Sequence, residues 1–141
     1  MRPHHTKNKG DFAVLKSQVD LHSKGYSILT PQSEHEPFDL VAYKEGKFLR
    51  VQVKYREVKN GKITVNFSTS WADKNGAHTQ PYDKNEIDLF CIYCPDTDMC
   101  YYLNPNRFNK HVCLRVNNPK GHFQKNMNMA SDFTEVPPLD Y

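Results

Sequence analysis

The segment that most constrains the fold spans residues 37–55, PFDLVAYKEGKFLRVQVKY. Apolar and β-favouring residues fill both halves, and Glu45-Gly46-Lys47 separates them with a glycine that readily takes positive φ. The pattern predicts two antiparallel strands, one over 38–44 and one that begins at Phe48. Side chains alternate between the two faces of a strand. The face assigned to the core carries Leu49, Val51, Val53 and Tyr55.

The other face of the second strand carries four long polar side chains, Arg50, Gln52, Lys54 and Arg56. Such a row beside a strongly apolar face predicts a cleft that binds an anionic ligand. Asp39 lies on the partner strand, and a short turn would bring its carboxylate near Gln52 and Lys54. The two oxygen donors suit Mg²⁺, which prefers a few protein oxygens with waters and substrate phosphate. The ammonium could orient or deprotonate a water, or stabilise charge on a phosphate.

Pro37-Phe38-Asp39 followed by Gln52-Val53-Lys54 resembles the core motif of the PD-(D/E)XK nuclease superfamily. That superfamily includes type II restriction enzymes, Holliday-junction resolvases and some intron-encoded homing endonucleases. Gln52 stands where the motif usually has a second acid, a variant that resembles the group I intron homing endonucleases. The resemblance runs from Gly10 to about Val116. It implies an α/β fold of restriction-endonuclease type, with a mixed central sheet of about five strands and a long N-terminal helix.

The resemblance also implies a metal-dependent endonuclease that hydrolyses phosphodiester bonds in double-stranded DNA. Asp39 and Gln52 would bind Mg²⁺, or Mn²⁺ in its place, and Lys54 would complete the catalytic set. Cutting both strands needs two active sites, so a homodimer or homotetramer is expected. The expected DNA contacts are Arg50, Arg56, Ser68, Ser70, Trp71, Lys74 and His78.

The chain departs from the family pattern on its first helix. Family members usually carry a glutamate four residues after a glycine equivalent to Gly10, and that position here is Val14. Val14 and Gln52 keep open a second hypothesis, a nuclease-fold protein that binds DNA without cutting it. A third is a structural or partner-binding module. Four acids could supply the missing oxygen, although solvated surface charge is the favoured interpretation of each. They are Asp11, Asp20, Glu34 and Glu36.

The first helix is predicted over Phe12–Lys24, with Asp11 as N-cap and Gly25 at the C′ position. Its predicted buried stripe follows three- and four-residue spacing. That stripe consists of Phe12, Leu15, Val19 and His22. A first strand over Tyr26–Leu29 should follow.

Beyond the motif, Asn60-Gly61 predicts a hairpin turn before a third core strand, Lys62–Ser68. The polar stretch Thr69–Lys84 is long for a loop in a compact domain. We interpret it as a DNA-contacting loop, with an ordinary surface loop as the alternative. Further strands are expected over residues 87–94, 99–103 and 112–116. Since Cys91 and Cys94 should face opposite sides of their strand, core packing is favoured over zinc binding.

The composition is compatible with this assignment. The chain has 19 basic and 16 acidic residues, a net charge of +3 that permits nucleic-acid binding without demanding it. The 4 cysteines are few for a disulfide scaffold, and no apolar run reaches a membrane span. We therefore expect an intracellular protein, cytoplasmic or nucleoid-associated, with no membrane partner. The expected organisation is a flexible basic arm (1–10), a nuclease-like domain (11–116) and an irregular tail (117–141).

Overall fold

The computed structural model describes residues 5–117 and 127–139. One long helix, ten strands and two short 3₁₀ turns are seen there. In chain order these are α1 (His5–Ser23), β1 (Ser27–Leu29), β2 (Leu40–Lys44), β3 (Lys47–Tyr55), β4 (Lys62–Asn66), β5 (Ser68–Asp73), β6 (Gly76–Pro81), β7 (Leu89–Cys94), β8 (Met99–Leu103), a 3₁₀ turn (Pro105–Arg107), β9 (His111–Arg115), β10 (Asn128–Met129) and a 3₁₀ turn (Ala130–Phe133).

The central sheet has five strands in the order β1-β2-β3-β7-β8. Strands β3 and β7 run parallel, and the other neighbours are antiparallel. This mixed sheet with a long N-terminal helix confirms the predicted α/β architecture. The prediction for residues 62–68 was wrong in one respect, because β4 pairs with β9 in a separate three-stranded sheet. The local pattern gave the strand but not its distant partner.

The β2–β3 hairpin forms as predicted. Glu45 and Gly46 take φ of 52° and 82°, the two positive values that a tight two-residue hairpin turn requires. The register pairs Leu40 with Val51. Leu49, Val51 and Val53 are buried and Tyr55 is half-buried. Every second side chain of β3 therefore points to the opposite face of the sheet.

Helix α1 is longer than predicted and begins at His5. Residues 5–10, assigned to a flexible arm, are helical, and Asp11 lies within the helix rather than at its N-cap. The predicted stop is confirmed at Gly25, whose φ is 91°. Its N–H bonds the carbonyl of His22, and the Tyr26 N–H bonds that of Leu21. This pair of bonds is the Schellman arrangement that ends many helices.

The face of α1 that packs on the sheet is not the predicted one. Ala13, Ser17 and Leu21 are fully buried, and two small side chains let the helix approach the sheet closely. The residues predicted to be buried are instead exposed and form an outer stripe. That outer stripe consists of Phe12 (45% exposed), Leu15 (59%), Val19 (70%) and His22.

Two apolar cores flank the central sheet. The helix-side core lies between the sheet and α1, and the other lies between the sheet and the β4–β9 sheet. Cys91 belongs to the first and Cys94 to the second, which confirms that they face opposite sides. Within the described ranges no group of three or more His, Cys, Asp or Glu residues could hold a metal ion. Cys91, Cys94 and Cys100 are members of these two cores.

The polar stretch after β4 is not a loop. Strands β5 and β6 form a two-stranded antiparallel ribbon, joined at residues 74–75 and largely exposed. The two strands were not predicted because most of their residues are polar or small and show no alternation of apolar and polar side chains. We call residues 68–81 the ribbon. It rises from the face of the sheet opposite α1.

The tail docks on the body of the protein where it is described. Val136 and Leu139 pack against the helix-side core, while residues 118–126 and 140–141 lie outside the described ranges. The bounds of the three predicted segments remain a prediction. In the part of the chain that the structure describes, every helix is too short or too polar to cross a bilayer.

Candidate active site

Asp39 lies just before β2, where it continues the pairing with β3. Its N–H bonds the Val51 carbonyl at 2.9 Å, and its Oδ2 accepts the Val53 N–H at 2.8 Å. Burial raises the pKa of Asp39, an effect that the Val53 N–H and the nearby Lys54 charge oppose. The backbone of β3 thus fixes the carboxylate beside Lys54. The two side chains are near enough for each charge to act on the other, and their catalytic roles stay a prediction.

Lys54 is a buried cation, with only 8% of its surface exposed. Its Nζ donates to the Ser68 carbonyl at 3.3 Å and stands 4.9 Å from the centre of the Tyr82 ring and 5.8 Å from that of Phe90. Burial lowers the pKa of Lys54 to about 8, assisted by the Arg56 charge and opposed by Asp39. About a tenth of the amine is therefore neutral at pH 7, and the neutral fraction rises with pH.

Gln52 shares the face of β3 with Lys54, since the two residues are one strand period apart. It is half-buried, and its amide makes only a long contact of 3.5 Å, to the Val53 carbonyl. Gln52, Lys54 and Arg56 line one open cavity of about 710 Å³, together with Lys9 and Gly10 from α1. Its wall carries four cationic side chains, since Lys59 joins Lys9, Lys54 and Arg56, against one acidic side chain, Glu57, and such a balance fits a phosphate backbone.

The two arginines of the predicted DNA surface differ in their surroundings. Arg50 forms a bidentate pair with Asp88, at 2.9 Å for Nε to Oδ2 and for Nη2 to Oδ1. Burial opposes ionisation of Asp88, yet these bonds bring its pKa below the usual value. Arg56 lines the cavity, and burial lowers its pKa. Arg56 is therefore the better placed of the two to meet a phosphate.

The other predicted DNA contacts lie along the ribbon. Ser68 is at its base, where its carbonyl holds Lys54, and Ser70 and Lys74 are exposed. Trp71 is 46% exposed and stacks on His78 with ring centres 5.3 Å apart. His78 Nε2 also lies 3.0 Å from an Asp73 oxygen. The ribbon thus presents a flat aromatic pair beyond the cavity.

Tyr82 is a site residue that sequence reasoning missed. It follows the ribbon, and its ring lies against Lys54 and packs edge-on against Phe90 at 5.5 Å. Burial raises the pKa of its phenol, while a hydrogen bond with Thr69 lowers it. No local signal marked this role, because only the return of β6 to the sheet brings Tyr82 to Lys54.

The residues considered for the third acid of the family pattern lie in different surroundings. Val14 packs against the helix-side core. Asp20 accepts the Tyr102 hydroxyl and pairs with Lys24 at 3.0 Å on that same side of the sheet. The remaining candidates, Asp11, Glu34 and Glu36, are exposed. None of the four joins Asp39 in a cluster of metal-binding side chains within residues 5–117.

The donor set nevertheless fits a hard divalent cation. The Asp39 carboxylate is held in place through one oxygen, and the amide of Gln52 has no strong competing contact. Mg²⁺ commonly takes one or two protein oxygens and completes its shell with waters and substrate phosphate. With a single carboxylate, we expect binding to depend on the phosphate as a co-ligand.

Comparison with known proteins identifies the family. A family profile described as PD-(D/E)XK endonuclease matches residues 4–136, and the chain belongs to that family of DNA-cutting hydrolases. Among solved structures, a bacterial homing endonuclease, I-Ssp6803I, superposes with a TM-score of 0.75 at 23% identity. The match covers 92% of this chain and 88% of that one. At this identity the likeness establishes the fold, and no curated protein matches the chain.

Proposed function

We propose that this protein is a metal-dependent endonuclease that hydrolyses phosphodiester bonds in double-stranded DNA at the cavity beside β3. The observation that carries the proposal is the fixed carboxylate of Asp39 beside the buried ammonium of Lys54. Burying the Lys54 ammonium costs free energy that the Asp39 charge offsets only in part, and such perturbed groups in a cleft are typical of functional sites. Family membership supports the same reaction class.

Each residue of the site has a separate task. Asp39 and Gln52 would hold Mg²⁺ or Mn²⁺ through their oxygens. When bound, such a cation stabilises negative charge on a phosphate and eases deprotonation of a nearby water. Lys54 orients that water or takes its proton as a neutral amine, and as an ammonium it stabilises the charge of the transition state. Arg56 binds the flanking phosphate.

Plasmid nicking tests the proposal directly. Supercoiled DNA is incubated with the protein and Mg²⁺, Mn²⁺ or EDTA, beside the Lys54→Ala variant. Nicking by the parent alone, with a divalent cation, is the expected result. Binding without nicking would favour the alternative, a DNA-binding protein that has lost catalysis. Val14 and Gln52 support that alternative, because each stands where the family pattern usually has an acid. The same assay with a pool of random DNA sequences covers the case in which the plasmid lacks the sequence that the protein cuts.

Gln52→Glu is expected to lower the Mg²⁺ concentration that gives half-maximal nicking by about tenfold, because it turns a neutral ligand into a carboxylate. The exposed Gln80 on the ribbon gives the control Gln80→Glu, which should leave the titration unchanged. A Gln52→Glu titration that coincides with the parent curve would remove Gln52 from the ligand set.

Tyr82→Leu is expected to lower kcat by about 10- to 100-fold while DNA affinity stays near the parent value. The ring confines the ammonium of Lys54, and small misplacements of a catalytic group are costly. Tyr82→Phe keeps the ring contacts at 4.9 and 5.5 Å and should retain most of the activity. Equal damage in both variants would show that the hydroxyl matters rather than the ring.

The ribbon is proposed to contact DNA. A two-stranded antiparallel ribbon fits the major groove, and its exposed polar residues offer hydrogen bonds to phosphates and bases. Ser70, Trp71, Lys74 and His78 are the proposed contacts. Arg50 is a weaker candidate, since it would have to leave Asp88.

Trp71→Ala should weaken DNA binding by about tenfold, the usual scale for one aromatic stacking contact. Fluorescence anisotropy in EDTA measures binding without cleavage. The control is Phe48→Ala, an aromatic residue that is 59% exposed but lies away from the ribbon. Unchanged affinity in Trp71→Ala would place the DNA elsewhere on the protein.

We also infer a homodimer or homotetramer. One chain carries one site, and a double-strand cut requires two sites acting on opposite strands. Light scattering after size-exclusion chromatography over a dilution series measures the molar mass in solution, and a mass of one chain at high micromolar concentration would overturn the inference.

A further inference from the structure

The outer end of the cavity, beyond Arg56, carries an ion pair between α1 and the segment that follows β3. Lys9 Nζ lies 3.3 Å from Glu57 Oε1, and it stands 5.6 Å from the centre of the Tyr55 ring. Lys9, Glu57 and Lys59 all line the cavity. The side chains of the pair are 49% and 47% exposed, so a ligand in the cavity can reach both of them.

The backbone around Glu57 is fixed on both sides. The Arg56 N–H bonds the Tyr93 carbonyl at 3.0 Å, and the Val58 N–H bonds Asp96 Oδ2 at 2.7 Å. The Glu57 carboxylate can therefore change its partner only by rotation of its own side chain. An ion pair as exposed as this one contributes little to stability, so exchanging one partner for another anion costs little free energy.

We propose that this end of the cavity is a second phosphate subsite, where Lys9 and Lys59 bind a DNA phosphate next to the one at Arg56. In the free protein the Glu57 carboxylate takes the place of that phosphate beside Lys9, and DNA displaces it. The inference rests on the proposed function and deepens it, because it concerns the same cavity. Glu57 comes three residues after Lys54, at most about 10 Å of extended chain, so the subsite adjoins the reacting phosphate without including it.

Charge and hydrogen-bonding chemistry select the occupant of the subsite. Carboxylate and phosphate oxygens accept the same charge-assisted hydrogen bonds from an ammonium group, so either can sit beside Lys9. Among the described residues that line the cavity four are cationic and only Glu57 is acidic, which favours an anionic ligand. Once displaced, the Glu57 carboxylate stays near the bound phosphate and repels it. Glu57 should therefore lower the affinity of the parent protein for DNA.

A double-mutant cycle of Glu57→Gln and Lys9→Met tests the exchange. Fluorescence anisotropy in EDTA with a labelled duplex of mixed sequence gives the affinities without cleavage. Glu57→Gln should tighten binding about tenfold, because it removes both the ion pair and the repulsion. Lys9→Met should weaken binding about two- to fivefold more in the Glu57→Gln background than in the parent, because no carboxylate then has to be displaced. Lys9→Met should also reduce the slope of log affinity against log salt by about one.

The matched control is the cycle of Lys16→Met and Asp98→Asn. Lys16 is also a lysine of α1 in an exposed ion pair, with its Nζ 3.0 Å from Asp98 Oδ1, and neither residue lines the cavity. The two control variants change the net charge as the test variants do. Their effects on DNA affinity should be small and additive. Circular dichroism checks that every variant keeps its fold.

Two outcomes would overturn the proposal. Equal effects of Lys9→Met in the two backgrounds would show that the ion pair only ties α1 to the sheet. Glu57→Gln binding DNA no more tightly than the parent would remove the carboxylate from the path of the phosphates. Nicking by the parent protein is measured separately with Mg²⁺. Coupling without nicking would support the subsite and contradict only the cleavage proposal, whereas nicking without coupling would contradict only the subsite.

Discussion

Lys54→Met is expected to reduce plasmid nicking by about 10³-fold while making the metal-free protein more stable. The activity loss reflects removal of the group that handles a proton and stabilises phosphate charge. The stability gain follows from burial, which lowers the pKa of Lys54 to about 8 and so penalises its ammonium at pH 7 by about 3 kcal/mol. The variant also loses the contacts of Lys54 with Ser68 and Tyr82, which reduces this stabilisation. The net gain in the free energy of unfolding is expected to be about 1 to 2 kcal/mol.

The sign of the pH dependence can be derived from the same shift. The unfolded chain binds a proton on this lysine up to about pH 10.5, whereas the folded chain releases it near pH 8. Between these values the unfolded state binds more protons, so the contribution of Lys54 to stability rises with pH. The difference in unfolding free energy between Lys54→Met and the parent should therefore shrink above pH 8. Urea unfolding in EDTA measures it without interference from bound metal.

The matched control is Lys44→Met. Lys44 Nζ also donates to a backbone carbonyl, that of Lys24 at 3.0 Å, and stands 5.1 Å from the ring of Tyr26. It lies outside the cavity, so nicking should be unchanged. If both variants lost activity equally, a general effect of removing a buried lysine would explain the result better than catalysis.

Asp39→Asn is the second variant with a large expected effect. Nicking should fall by at least about 10³-fold, and added Mg²⁺ or Mn²⁺ should restore little of it, because the only carboxylate of the proposed ligand set is lost. The fold should survive, since the amide oxygen of asparagine can still accept the Val53 N–H that Asp39 holds at 2.8 Å. Nicking assays beside urea unfolding separate the two effects.

Asp88→Asn provides the comparison for this carboxylate. Asp88 also accepts a backbone N–H of β3, that of Arg50 at 2.8 Å, and it lies just before β7. Its loss breaks the bidentate pair with Arg50 and should cost about 1 kcal/mol of stability, with most cleavage retained. Full activity in Asp39→Asn would end the metal-ligand assignment.

The β2–β3 hairpin could be predicted because its signals are local. Alternation along β3 and the Glu45-Gly46 turn fix which side chains share a face, and the pairing with β2 then carries Asp39 to Val53. The assignment of Lys54 to the cavity face needed nothing beyond this period of two.

Features that depend on distant contacts were missed. Spacing along α1 could not show which of two apolar faces meets the sheet, and the small residues Ala13 and Ser17 decided it. Strand β4 pairs with β9, nearly fifty residues later in the chain. The place of Tyr82 against Lys54 likewise depends on how the whole ribbon folds back.

Strand β3 combines two duties, since the valines at 51 and 53 fill the interior while the residues at 52 and 54 face the cavity. Adding or deleting one residue inside this strand would shift its downstream half by half of the two-residue period and so turn each side chain to the opposite face. The glutamine and lysine would be forced inward and the valines turned to water. Evolution can therefore revise this chemistry by exchanging side chains but not by changing the length of the segment, which makes a length polymorphism here a simultaneous loss of folding and cutting.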